Sequence, residues 1–173
     1  MQPNFKETIH NEIIKEVRRR LLEESVPRLK KCLAQLSEAE IWYRPNEETV
    51  SAGNLVIHLC GNVRQWLLSG IGKAPDHRKR DDEFTEKGPI PTDKLIADLD
   101  IVMQEVEVLL GNLAPEVLIE KHRVQGFDET GIGILMHVVE HFSYHVGQVT
   151  YYVKSTKNMD MKFYDGQDLN KTN

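Results

Sequence analysis

Three histidines, His137, His141 and His145, recur at intervals of four in the segment His137-Val-Val-Glu140-His141-Phe-Ser-Tyr-His145-Val-Gly-Gln148. On an α-helix, residues four apart stand one turn above each other on the same face, so neighbouring imidazoles in such a row can converge on one metal ion. All three cannot do so together, because the outer two are separated by two turns, about 11 to 12 Å along the axis. An ion at this row takes one adjacent pair and finds its third ligand elsewhere. His58 is the natural candidate. It falls on the apolar face of another helical segment, with Leu55, Leu59, Asn62 and Trp66, where an unpaired imidazole is costly to bury. Three neutral imidazoles leave an ion its full charge and an open position for water or substrate. Such an ion lowers the pKa of water, or holds a thiolate that remains nucleophilic. Imidazole suits zinc and nickel alike.

Asn62, Glu140 and Gln148 lie near these histidines in sequence. They are candidates for the hydrogen bonds that the outer nitrogens of ligating imidazoles require. His10, His77 and His122 have no partner at ligand spacing and read as surface residues. Cys32 and Cys60 show no C-x-x-C spacing, which argues against a disulfide framework and a cysteine zinc site. Both fall in apolar helical stripes, where burial raises a thiol pKa and leaves it inert. A nucleophile would therefore come from a bound small molecule or from water. The sequence offers no Ser-His-Asp order and no phosphate-binding glycine loop.

The elements that must carry these residues are helical. Phe5, Ile9, Ile13, Val17 and Leu21 recur every four residues, and Leu22, Val26, Leu29, Leu33 and Leu36 extend the stripe. Pro27 predicts a kink or break over residues 24–27, because proline removes a helical hydrogen bond and clashes with the preceding turn. Ser51 can cap a second helix over residues 52–69. Residues 70–91 form a long polar connection of the kind that serves as a crossover or a functional loop. Within its charged centre, residues 77–87, the cluster at 78–83 reads as a solvated loop, with the alternative that it folds over the metal site as a lid and supplies charge to an anionic substrate. Thr92 is the expected cap of a third helix carrying Leu95, Leu99, Val102, Val106, Leu109 and Leu113. Residues 117–127 suggest a short helix or extended piece. The fourth helix is expected over residues 130–156, with Leu135, Val138, Phe142, Val146, Val149 and Val153 inward. The pattern predicts an all-α four-helix bundle with a long crossover connection, residues 1–173 forming one domain.

Bulk properties agree. Of 173 residues, 40% are hydrophobic and 28% charged, an ordinary globular balance. Net charge is −5, from 22 basic and 27 acidic side chains, which argues against nucleic acid as a partner. No stretch is long and apolar enough for a membrane span, and residues 1–16 lack the apolar core of a signal peptide. A cytoplasmic location follows. Tyr151 and Tyr152, near the end of the fourth helix, suggest a buried subunit contact and a homodimer.

The segment His58-Leu-Cys-Gly-Asn62-Val-Arg-Gln-Trp66, taken with Glu140-His141-Phe-Ser-Tyr-His145-Val-Gly147-Gln148, resembles the DinB-like superfamily, which includes YfiT-type proteins and bacillithiol transferases. The resemblance extends over nearly the whole chain. It is strongest to a subfamily of unassigned function whose members similarly carry Arg44-Pro45-Asn46, Gly61-Asn62-Val-Arg-Gln-Trp66 and Gln125-Gly126-Phe127. It implies a four-helix bundle and a three-histidine metal site matched by His58, His141 and His145, with His137 outside it. Several superfamily members have an arginine before Gly-Gln, where this chain has Val146. The implied activities are transfer of a low-molecular-weight thiol to a small electrophile, or metal-assisted hydrolysis. The alternative is a non-catalytic metal-binding module for stress response or sensing.

Overall fold

The computed structural model describes residues 4–172. In chain order it contains α1 (Phe5–Arg18), a π-helical stretch (Arg19–Ser25), α2 (Val26–Leu33), α3 (Glu38–Ile41), α4 (Ala52–Val63) and a second π-helical stretch (Arg64–Ile71). Then follow α5 (Arg80–Thr85), α6 (Thr92–Gly111), a 3-10 turn (Pro115–Leu118), strands β1 (Lys121–Val124) and β2 (Phe127–Thr130), and α7 (Gly131–Lys157). Four rods make an all-α bundle: α1 continuing into α2, α4 with its π extension, α6, and α7. Both α1 and α4 pack against α6 and α7, while α2 packs on α7. The core between them includes the fully buried Leu21, Leu29, Leu59, Leu99, Ile134 and Phe142. Complete burial of a side chain the size of phenylalanine contributes about 1.5–3 kcal/mol.

The first rod departs from expectation in two ways. Phe5 and Ile9 are 78% and 42% exposed, and the buried stripe runs instead through His10, Ile14, Val17 and Leu21. A strict interval of four overshoots the helical turn by about 40° per step, so a row begun at Phe5 has rotated about 120° by Val17. The same rotation buries His10, which read as a surface residue. Second, Pro27 does not break the rod. The backbone stays helical through Ser25 (φ −69, ψ −45) and Val26 (φ −63, ψ −48). The preceding turns widen to π geometry, and Val26 N–H donates to the Leu21 carbonyl five residues back. Widening relieves the clash that a proline ring makes with the carbonyl four residues earlier.

Ser51 and Thr130 cap α4 and α7, their side chains accepting from Asn54 N–H and Gly133 N–H. Thr92 is not a cap. Pro91 holds that position without a side-chain bond, and Glu38 from α3 accepts the free Thr92 N–H at 3.0 Å. Residues 121–130 form an antiparallel hairpin in which Val124 faces Phe127. Its turn residues Gln125 (φ 51) and Gly126 (φ 86) both take positive φ, as a type I′ turn requires. Gln125 Oε1 accepts the Trp66 indole N–H at 3.1 Å, tying the hairpin to the second rod. His122 is buried rather than on the surface, its Nδ1 accepting from Lys73 Nζ at 3.0 Å.

Within the long polar connection, α5 docks on α4. Its C-terminal carbonyls have protein donors. Asn54 Nδ2 donates to the Glu83 and Glu86 carbonyls at 2.9 and 2.8 Å, and Arg44 donates to the Phe84 carbonyl and to Asn54 Oδ1. These bonds answer the orphaned carbonyls of a helix end and give Arg44 a defined structural task.

Candidate metal centre

α4 presents His58 toward α7, and α7 returns His141 and His145 from successive turns. His58 Nε2 lies 3.1 Å from His141 Nε2, and His145 Nε2 lies 3.2 Å from the same atom. One nitrogen from each ring falls within 4.8 Å of the others, the spacing of a group that could hold a metal ion. His58 is buried; His141 and His145 are half-buried. Among the described residues, no further His, Cys, Asp or Glu joins this cluster.

The outer nitrogens of two rings fix where their protons sit, whereas His141 Nδ1 is buried with no hydrogen-bond partner among the described residues. His58 Nδ1 is 2.8 Å from Glu83 Oε2, and His145 Nδ1 is 2.7 Å from Gln148 Oε1. Both oxygens are acceptors, so each Nδ1 carries its hydrogen and donates; Arg78 Nη2 also lies 3.2 Å from His58 Nδ1, farther than the carboxylate to which it donates. The Nε2 atoms of His58 and His145 are left with lone pairs directed at the shared centre. A hydrogen on His141 Nε2 can complete one straight bond, not two, whereas a cation between the rings satisfies all three lone pairs. His141 is held in its neutral form, its pKa lowered to about 3 by burial and by the neighbouring imidazoles of His145, His58 and His137. Burial also lowers the His145 pKa, with the Gln148 hydrogen bond acting the other way. Neutral imidazoles are the form that ligates a metal, so this donor set fits a divalent ion.

The other candidates are placed as follows. Gln148 bonds His145. Asn62 instead meets His137, with Nδ2 to Nε2 at 3.4 Å. Glu140 is exposed and forms no hydrogen bond to a histidine among the described residues. His137 lies flat against Trp66, ring centroids 3.7 Å apart and planes inclined by 24°, and stays outside the cluster. Cys32 is buried and its thiol is pushed up by burial. Burial pushes Cys60 up to about 12.

Sequence reasoning missed Glu83 as a partner of His58, and with it Arg78. Arg78 Nε and Nη2 donate to the two Glu83 oxygens at 2.7 and 2.9 Å. These side chains are only 4% and 7% exposed, so two charges of the connection cover His58 while Lys79, Arg80, Asp81 and Asp82 stay exposed. Burial pushes the Glu83 carboxyl up, but the hydrogen bonds from Arg78 and His58 outweigh it and hold the group below its ordinary value. The Phe84 ring sits 4.7 Å from the His58 ring. That one apolar residue inside a polar run was the available signal that α5 faces the protein.

Near the triad, with none of its three histidines in the lining, is a cleft of about 800 Å³ whose walls include Tyr43, Val50, Leu55, Tyr144, Gln148 and Tyr151. Two of these reach His145: Gln148 by its hydrogen bond, and Tyr144 by an edge contact at 5.0 Å between ring centroids.

The bundle is the DinB-like fold. It is similar to the crystal structure of YjoA, a DinB-like protein from Bacillus subtilis, with a TM-score of 0.65 and 19% identity over 88% of this chain and 97% of that one. A DinB-like protein from Bacillus cereus matches with a TM-score of 0.61 and 18% identity over 80% of this chain and 89% of that one. Residues 8–165 match the family described as protein of unknown function DUF1572, and the chain belongs to that family. No curated protein gives a significant match.

Proposed function

We propose that His58, His141 and His145 bind one divalent metal ion, zinc or nickel, and that the protein is a metal-dependent enzyme acting on a small molecule. The observation that carries this reading is the convergence of three imidazole nitrogens within 4.8 Å, two of them aimed by hydrogen bonds on the far side of their rings. An ion held by three neutral imidazoles supplies a Lewis acid with room for a further ligand, able to lower the pKa of water or of a thiol. The chain's own contribution is to bind, aim and enclose. Glu83 and Gln148 orient the rings of His58 and His145, and the cleft along Tyr43, Tyr144 and Tyr151 offers apolar walls to a substrate.

Transfer of a small-molecule thiol to an electrophile is the preferred reaction, with metal-assisted hydrolysis as the variant. Both protein thiols are held protonated by burial, which leaves the nucleophile to an exogenous thiol or to water. A cytoplasmic homodimer completes the proposal. Two free cysteines suit a reducing compartment, and Tyr151, 76% exposed, offers an apolar ring for a partner. The deciding experiment is metal analysis of the purified protein, followed by assays of the loaded protein with thiol and electrophile panels. About one ion per chain and a metal-dependent turnover are expected. A bound ion without turnover on any thiol, electrophile or hydrolysable substrate would favour the alternative, a metal-binding or sensing module.

A further inference from the structure

Gly61 lies one turn beyond His58 on α4, facing α5. A Cβ built there would land on Glu83 Oε1, with Glu83 Cδ at 2.9 Å and Arg78 Nε at 3.1 Å. The missing side chain is thus a notch, and the Glu83 carboxylate fills it. Inside the notch the carboxylate accepts from Arg78 through both oxygens and from His58 Nδ1. Arg78 is itself fixed, its Nη1 donating to Gln65 Oε1 at 2.9 Å from the π-helical continuation of α4. The carboxylate cannot drift from His58 without leaving a buried guanidinium unpaired, and an uncompensated buried charge is strongly unfavourable.

From this seat we infer that Glu83 is the positioning residue of the metal centre and that α5 is a clasp coupled to metal occupancy. The inference rests on the metal-binding reading of His58, His141 and His145. Its chemistry is directional. A carboxylate on Nδ1 keeps the His58 hydrogen on that atom, so Nε2 faces the centre as a lone pair, and it raises the basicity of the ring as a ligand. Linkage then runs both ways. Whatever seats Glu83 tightens the ion, and the ion, by drawing on His58, strengthens the bond that holds α5 down. Gly61 determines whether the seat exists, which assigns a purpose to the glycine in Gly61-Asn62-Val-Arg-Gln-Trp66.

The test compares the full-length wild type with Glu83→Gln, Gly61→Ala and His141→Ala by competitive zinc titration, together with nitrogen NMR of the His58 ring in the metal-free proteins. Loss of the outer partner of a ligating imidazole typically costs about 10–100-fold in metal affinity. Both Glu83→Gln and Gly61→Ala are expected to fall in that range. In Gly61→Ala, which displaces the carboxylate, the His58 ring should become a mixture of tautomers where the wild type holds one; Glu83→Gln keeps an acceptor at that place and loses only its charge. Hydrogen exchange of the α5 amides should slow on zinc addition in the wild type and respond less in the two variants. Circular dichroism establishes that each variant is folded, and Glu83→Gln keeps the carboxylate's shape should Gly61→Ala disturb α4. Wild-type zinc affinity in Glu83→Gln, or an unchanged His58 tautomer in folded Gly61→Ala, would overturn the inference while leaving the metal site intact. Wild-type affinity in His141→Ala would instead overturn the metal-binding reading on which it rests.

Discussion

His137 and His145 flank His141 on the same helix, one turn to either side, yet they meet different surroundings. His145 stands edge-on to its neighbours, 4.6 Å from the His141 ring and 5.0 Å from the His58 ring, with Gln148 on its outer nitrogen. His137 is pressed flat on Trp66 and is touched by Asn62. Burial lowers the pKa of both rings, so neutrality does not separate them. The residue across the interface does: α4 offers a third imidazole at the level of His145 and leads into an indole at the level of His137. Helical spacing nominates pairs of imidazoles, and the opposing helix determines which pair meets a third.

Metal removal gives the largest expected effect. A ligand that binds only the folded state at about a thousand times its dissociation constant adds about 4 kcal/mol of stability. Excess zinc should therefore raise the melting temperature of the chelator-treated wild type and of His137→Ala, and leave His145→Ala unmoved. A zinc response in His145→Ala equal to that of wild type would erase the distinction between the two turns.

Trp66→Leu attacks the His137 side. Trp66 is 4% exposed and its indole donates to Gln125. A large-to-small change at a buried site, with loss of a hydrogen bond, should cost about 2–4 kcal/mol in chemical denaturation. Zinc affinity should change little, because the triad does not use Trp66. A collapse of affinity in a folded variant would mean that His137 and its support belong to the site.

Gln148→Leu attacks the other side and should be milder. It removes the acceptor from His145 Nδ1, and a drop of about tenfold in zinc affinity is expected. The smallest effect concerns the thiols. Cys60, pushed up to about 12, should alkylate slowly in the native protein at pH 8, faster as pH rises, and at the same rate with or without zinc. Protection of Cys60 by zinc would bring sulfur into the centre.

The parts of the fold that could be read from sequence were those fixed locally. The stripes of α4, α6 and α7 follow the 3.6-residue period, and Ser51 and Thr130 announce their helices through short-range caps. The histidine row was legible for the same reason. What was hidden depends on distant residues or on helical phase. His10 is buried because a four-residue stripe drifts around the helix. Glu83 is buried because Gly61, Asn54 and Arg44 prepare a place for it. Read alone, Arg78-Lys79-Arg80-Asp81-Asp82-Glu83 has the composition of a solvated run, and only the notch on α4 shows which two of its charges turn inward. The hairpin was hidden in part, since its strands are four residues each, too short for alternation to declare itself.

The most direct measurement is long-range nitrogen–proton NMR of the histidine rings during stoichiometric zinc addition, which reads all four imidazoles at once. The account predicts that Nε2 of His58, His141 and His145 moves to the position of a metal-bound nitrogen at one zinc per chain while both His137 nitrogens stay in place. Movement of His137 together with His141, with His145 unmoved, would contradict it.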